Sequence, residues 1–248
     1  MKNSHMSRRG FLAFGGAASA SALAGCVSTP PPALDGRSPI PAPPPASLEP
    51  GLGSHASMYG SVYDAGFQIP AIPFDKVAPR LRRQIVPDPT GEAPGTLIVD
   101  TANHYIYFVR RNREAVRYGV GLGRAGFEWS GRGVIQWKQP WPKWFPPDEM
   151  IDRQPELEKY RASYDKATDT WLGGMDGGPS NPLGARAMYI FQNGKDTLYR
   201  VHGSPEWWSI GKSVSSGCVR LMNQDVIDLY DRVREGAPIV VTSGVGSV

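Results

Sequence analysis

From Thr96 to the C-terminus the chain is a succession of short strand-like runs separated by turn residues, and that pattern limits the folds open to it. Thr96-Leu97-Ile98-Val99-Asp100 reads as a strand, followed after a turn at Ala102-Asn103 by Tyr105-Ile106-Tyr107-Phe108-Val109. Arg110 to Arg113 form the next turn before Val116 to Val120, and further strands are expected at Ala187–Gln192, Thr197–His202 and Pro238–Thr242. β-Branched and aromatic residues at this spacing predict an antiparallel sheet closed into a sandwich or barrel, so the expected class is mostly β. One helix stands out. Val226, Leu229, Tyr230 and Val233 recur at helical spacing after a potential cap at Asn223, and Gly236 supplies a stop. About 150 residues from Thr96 onward suffice for one core.

The residues before Thr96 divide into three parts. Residues 1–26 hold Arg8-Arg9 followed by a weakly apolar stretch from Phe11 to Leu23, ending at Leu23-Ala24-Gly25-Cys26. The stretch is shorter than the ~20 apolar residues that span a bilayer. Twin arginines ahead of it resemble a bacterial Tat signal, and the last four residues resemble a lipobox with Cys26 as the lipidated residue. The expectation is a periplasmic protein held to a membrane by lipid on Cys26, each buried CH₂ contributing about 0.8 kcal/mol. Residues 27–50, with Pro30-Pro31-Pro32 and Pro43-Pro44-Pro45, read as an extended linker. Residues 51–95 mix Tyr59, Tyr63, Phe67 and Phe74 with Gly and Pro, and are expected to form an N-terminal extension packed on the main domain, 96–248.

Charge excludes one class of partner. The chain has 27 Lys+Arg against 23 Asp+Glu, but Lys2, Arg8 and Arg9 belong to the signal; without them 24 basic residues face 23 acidic ones, a net +1. That is no basis for nucleic-acid binding. His5, His55, His104 and His202 are scattered, with no local pair at zinc-site spacing, so no metal is expected. Gly121-Leu122-Gly123-Arg124-Ala125-Gly126 satisfies a dinucleotide-loop pattern, yet the following Phe127 to Gly133 does not open a helix; a glycine-rich β-turn is the better reading. Trp137, Trp141 and Trp144 lie among prolines and read as a rigid, tryptophan-packed loop, whereas Trp207 and Trp208, between His202 and Cys218, are candidates for a groove.

If Cys26 is acylated, Cys218 has no internal disulfide partner. A lone thiol in an exported protein is then a core residue, an intermolecular link or a nucleophile. Its surroundings favour the last. A thiol attacks as thiolate, and His202, sixteen residues upstream, can take its proton if it ends a strand and the chain returns through a loop containing Gly211. Gly217 lets backbone approach a bound carbonyl, and N–H groups at Gly217 and Cys218 are candidates to hold the developing oxyanion. Arg220 either stabilises the thiolate or binds a substrate carboxylate.

Val201-His202-Gly203-Ser204 followed by Ser215-Ser216-Gly217-Cys218-Val219-Arg220 resembles the L,D-transpeptidase catalytic domain, the YkuD family. Pro179-Ser180-Asn181-Pro182-Leu183-Gly184, the segment Trp141–Pro147 and the pair Asn223 and Asp225 extend the resemblance, which covers about Thr96 to Thr242. It implies an L,D-transpeptidase-type β-sandwich or barrel with a helix after the catalytic cysteine loop, and a function in peptidoglycan. By this resemblance Cys218 is the nucleophile and His202 the acid/base. The Gly203 carbonyl orients the imidazole, Ser216, Gly217 and Arg220 line the oxyanion and substrate site, and no cofactor is needed. The partners implied are peptidoglycan stem peptides: a tetrapeptide stem is cleaved through a thioester, and an amine on a second stem resolves it into a 3→3 cross-link. Water or a protein amine as acceptor, giving a carboxypeptidase, an endopeptidase or lipoprotein attachment to the wall, stays open, as does a non-catalytic wall-binding lipoprotein. Ser204 stands where many members carry Thr. The segment Arg161–Asp176 is longer than the family norm and is expected to form a lid over the groove.

Overall fold

The computed structural model describes residues 51–123, 130–215 and 217–245. Cys26 with the whole signal and linker, Ser216, and Arg124 to Gly126 of the glycine-rich string lie outside the described residues. The elements in chain order begin with α1 (His55–Met58), β1 (Val62–Asp64), β2 (Phe67–Ile69) and β3 (Gln84–Pro87). Four strands follow: β4 (Leu97–Asp100), β5 (Tyr105–Val109), β6 (Glu114–Gly119) and β7 (Leu122–Gly123). Then come β8 (Gly131–Pro140), α2 (Asp148–Arg153), β9 (Ser163–Asp165), β10 (Thr170–Leu172), β11 (Arg186–Gln192) and β12 (Lys195–Ser204). The chain closes with β13 (Ser213–Ser215), β14 (Val219–Met222), α3 (Asn223–Arg232) and β15 (Pro238–Thr242).

Nine strands form one sheet in the order β14-β12-β11-β8-β15-β4-β5-β6-β3. The mostly β class holds, but the sheet is mixed rather than antiparallel: β12 runs parallel to β14, and β15 parallel to β4. Each parallel pair needs a crossover: the one from β12 to β14 contains β13, and the long one from β4 to β15 contains α3 among other elements. The sheet curls round one core. Leu97 and Val99 of β4, Ile106 of β5, Met188 and Ile190 of β11, Val201 of β12, and Val219 and Leu221 of β14 all face it. Val226 and Leu229 of α3 fill the same core, each burial worth about 1.5–3 kcal/mol. The curl brings the free edge of β14 back to the residue that follows Val120. Gly121 and Arg220 exchange two backbone hydrogen bonds of 2.9 Å. A Cβ at Gly121 would stand 2.8 Å from the Ser209 carbonyl oxygen. Gly121 to Gly123 are therefore extended, paired backbone and not a turn; the first glycine is there for close approach.

Three further expectations are corrected. Trp137 sits on the ten-residue strand β8, not in a loop, and its ring stacks on Tyr189 of β11 at 3.7 Å. Asn223 does not cap α3: Met222 occupies the N-cap position, and Asn223 Oδ1 instead accepts the Ala185 N–H at 3.0 Å. The helix also stops before Gly236, because Val233 is already extended (φ −83°, ψ 132°). Lys138 Nζ donates to the Tyr230 and Val233 carbonyls at that end, a cation on the negative pole of the helix.

Residues ahead of β4 are tied to the sheet and α3 by buried polar contacts. β3 pairs with β6 as the last strand of the sheet. Asp64 accepts both guanidinium nitrogens of Arg186 (2.7 and 2.8 Å) and the Trp141 indole N–H (2.7 Å). Tyr59 is 1% exposed; its hydroxyl accepts the Arg83 N–H at 2.6 Å and donates to Asp225 Oδ2 at 3.3 Å. Arg83 in turn pairs with Asp225 and Asp228 of α3. Tyr59→Phe removes one buried donor and one acceptor at this hub, and is expected to cost about 1–3 kcal/mol. Urea denaturation with an unchanged slope and a lowered midpoint checks this; a midpoint equal to that of the unaltered protein would show that the hub contributes nothing.

Candidate active site

β12 and β14 lie side by side in parallel register, with Val201 opposite Val219, His202 opposite Arg220 and Gly203 opposite Leu221. Alternation does the rest. Val201, Val219 and Leu221 point into the core, which puts His202 and Arg220 on the other face. Cys218 directly precedes β14, two residues from Arg220, and its thiol accepts the backbone N–H of Arg200, two residues before His202 on β12. Arg200, His202, Cys218 and Arg220 thus share one patch of the outer face. Of the sequence-predicted residues, the fold brings together Cys218, His202, Gly203, Gly217 and Arg220; Ser216 lies outside the described residues.

His202 is 4% exposed, and its Nδ1 is 2.6 Å from the carbonyl oxygen of Gly203. A carbonyl only accepts, so Nδ1 carries the proton, and the neutral imidazole keeps its lone pair on Nε2. Burial first, and then the positive charge of Arg220, push the imidazole down to about 4, against which the Gly203 hydrogen bond works. Burial likewise pushes the Cys218 thiol up, opposed by the Arg200 N–H and by the charges of Arg200 and Arg220. Both shifts point the same way. Each shift is toward the uncharged form, so the site favours a protonated thiol on Cys218 and a neutral imidazole on His202. Alkylation of Cys218 by iodoacetamide should therefore be slow at pH 7 and rise about tenfold per pH unit through the range where a free cysteine would already level off. A rate already at its plateau at pH 7 would mean a preformed ion pair.

The glycines here are fixed by space. A Cβ at Gly203 would come within 2.4 Å of Asn223 Oδ1 and 2.9 Å of Val226 Cγ1. Gly217 has φ +124°, a conformation side-chain-bearing residues rarely adopt. Arg220 is held by Glu206, NH1 to Oε2 at 3.1 Å. Sequence reasoning missed Arg200. Asp196 grips its guanidinium through two 2.7 Å bonds, and the group lies 4.4 Å over the Tyr189 ring. Only the cross-strand register reveals its place beside Cys218. Next to this patch, at the C-terminal end of β12, Trp207 and Trp208 line a cleft of about 250 Å³ with Ser204 and Asn223. Residues 161–176 do not line it; β9 and β10 form a separate hairpin carrying the exposed Tyr164 and Trp171.

Comparison with known proteins bears on what this patch does. The chain is 31% identical over 160 residues to the probable L,D-transpeptidase ErfK/SrfK of Salmonella typhimurium, an overlap of 63% of this chain and 46% of that protein. It spans about half the length of the curated relatives it matches. Among solved structures, a Brucella melitensis chain described as a probable carnitine operon oxidoreductase is 43% identical, over 68% of this chain and 99% of that one, at a TM-score of 0.43. An L,D-transpeptidase from Mycobacterium smegmatis is 18% identical, over 60% and 59%, at a TM-score of 0.40. At such scores neither carries weight for activity. The L,D-transpeptidase catalytic domain model, YkuD, matches residues 94–241, more than half of the chain and all of the patch just described. On that match, this chain belongs to the L,D-transpeptidase catalytic domain family.

Proposed function

We propose that this protein is a peptidoglycan L,D-transpeptidase that works through a cysteine acyl-enzyme and forms 3→3 cross-links from tetrapeptide stems. One observation carries the reading: inside the family match, a buried histidine of fixed tautomer shares a strand-pair face with a thiol and an arginine. As Cys218 Sγ attacks the carbonyl of the third stem residue, its proton passes to His202 Nε2 and the S–C bond forms. The imidazolium so made is a strong acid in this site, and it gives the proton to the amine of the departing fourth residue as the C–N bond breaks. A side-chain amine of a second stem then attacks the thioester, loses its proton to His202, and the C–S bond breaks to regenerate the thiol. The positive charge of Arg220 favours the anionic sulfur and the oxyanion along the way.

The resemblance of residues 1–26 to a Tat signal ending in a lipobox at Cys26 supports a periplasmic, lipid-anchored location for this chemistry. The test uses mature protein and disaccharide-tetrapeptide muropeptides, with products weighed by mass spectrometry. A dimer lighter than two substrates by one D-alanine is expected, and none with Cys218→Ala. Dimer formation that survives Cys218→Ala would overturn the mechanism; tripeptide monomer as the sole product would replace the acceptor amine with water.

A further inference from the structure

The cleft at the end of β12 is built by two parts of the chain. Ile69 to Ile72, which precede the family match, form one wall, and Trp207 and Trp208 form the other. Ser204 and Asn223 lie at its polar edge, and none of its lining residues is ionisable. Trp208 is 55% exposed, so a broad indole face is open to a ligand. Asn223 is 5% exposed; its Oδ1 is used by the Ala185 N–H, while its amide nitrogen donates to no described residue. Asn223 lines the cleft, so this amide N–H is available to an acceptor on a ligand there.

We propose that this cleft is a subsite for an N-acetylhexosamine of the glycan that carries the stem peptide, with the segment Ile69–Ile72 as part of it. The proposal rests on the peptidoglycan reading above. An uncharged lining disfavours the carboxylates of a stem peptide and suits a neutral sugar, whose apolar ring face packs on indole and whose acetamido oxygen accepts the Asn223 N–H. Reach agrees. Three extended residues between the sugar and the scissile carbonyl span about 10 Å. The cleft begins at Ser204, two residues along β12 from His202, or about 7 Å.

The experiment has two arms on the mature protein. In the first, saturation-transfer NMR measures binding of the neutral disaccharide N,N′-diacetylchitobiose, which does not depend on turnover. Binding is expected, and Trp208→Ala should weaken it at least tenfold. In the second, kcat/KM is compared for disaccharide-tetrapeptide and for free tetrapeptide. The ratio should exceed ten, and fall toward one both in Trp208→Ala and in Ala71→Glu, which puts charge and bulk on the exposed wall of the extension. No disaccharide binding, displacement of the disaccharide by free tetrapeptide, or a ratio untouched by both substitutions would each overturn the subsite. If neither substrate turns over, the transpeptidase reading fails by itself, and disaccharide binding that Trp208→Ala abolishes still supports the cleft.

Discussion

His202→Ala will lower kcat/KM on tetrapeptide substrate by about a thousandfold, close to 4 kcal/mol of transition-state stabilisation. The imidazole is the one neutral base on the patch, and without it the attack must wait for a thiol that burial keeps protonated. The residual rate should therefore climb with pH as thiolate forms. In the unaltered enzyme the acid limb of kcat/KM should fall near pH 4, where the buried imidazole takes up its proton, and not near the ordinary 6.5. Stability follows the same group. Its folded value lies below its unfolded one, so the native state is weakened as pH falls from about 6.5 toward 4, by roughly 3 kcal/mol at most. Asp225 acts in the opposite sense. Burial raises its carboxyl to about 7, so the stability it lends is lost as pH rises from about 4 through 7. The two slopes have opposite signs, so His202→Ala removes the first: urea midpoints measured from pH 4.5 to 7 should fall more steeply with rising pH in the variant than in the unaltered protein.

Gly203→Ala should do comparable damage without touching any titratable atom. The added methyl would meet Asn223 Oδ1 at 2.4 Å, Val226 Cγ1 at 2.9 Å and the Ala185 nitrogen at 3.2 Å. A Cβ at Gly184 would come within 2.2 Å of the same oxygen, so the Asn223–Ala185 hydrogen bond needs glycine at both positions. To admit the methyl, β12 must move away from α3 or that bond must break. Overpacking and the loss of a buried bond together cost about 2–5 kcal/mol. The Gly203 carbonyl that fixes His202 moves with the strand, and an ångström of misplacement costs about a hundredfold in rate. A thermal melt and kcat on the folded fraction check both parts; an unchanged melt would mean that the strand–helix contact is looser than these distances say.

The β class was readable because runs such as Tyr105–Val109 and Pro238–Thr242 combine β-branched and aromatic residues with clear turn residues at their ends. The residues of the patch were readable because their motif is contiguous on each strand. What escaped depends on contacts between distant segments. β8 hides behind Gly131, Gly133 and neighbouring tryptophans and prolines, and it is a strand because β11 and β15 pair with its two edges. Parallel pairing of β12 with β14 brings Arg200 up to Cys218, and no local pattern encodes that register. Asn223 carries every mark of a helix cap, yet a tertiary partner, Ala185, claims its oxygen. The state of the thiol–imidazole pair follows from burial, which residue identity alone does not give.

In the proposed mechanism Cys218 Sγ takes the acyl group, with His202 as its base. Intact-protein and peptide-mapped mass spectrometry, after rapid acid quench of the mature enzyme with tetrapeptide substrate, tests that directly. The predicted result is a substoichiometric adduct with the mass of the substrate less D-alanine, on the Cys218 peptide alone, released by hydroxylamine and absent from Cys218→Ser. Full turnover with no adduct on that peptide, or with the adduct on another residue, would contradict it.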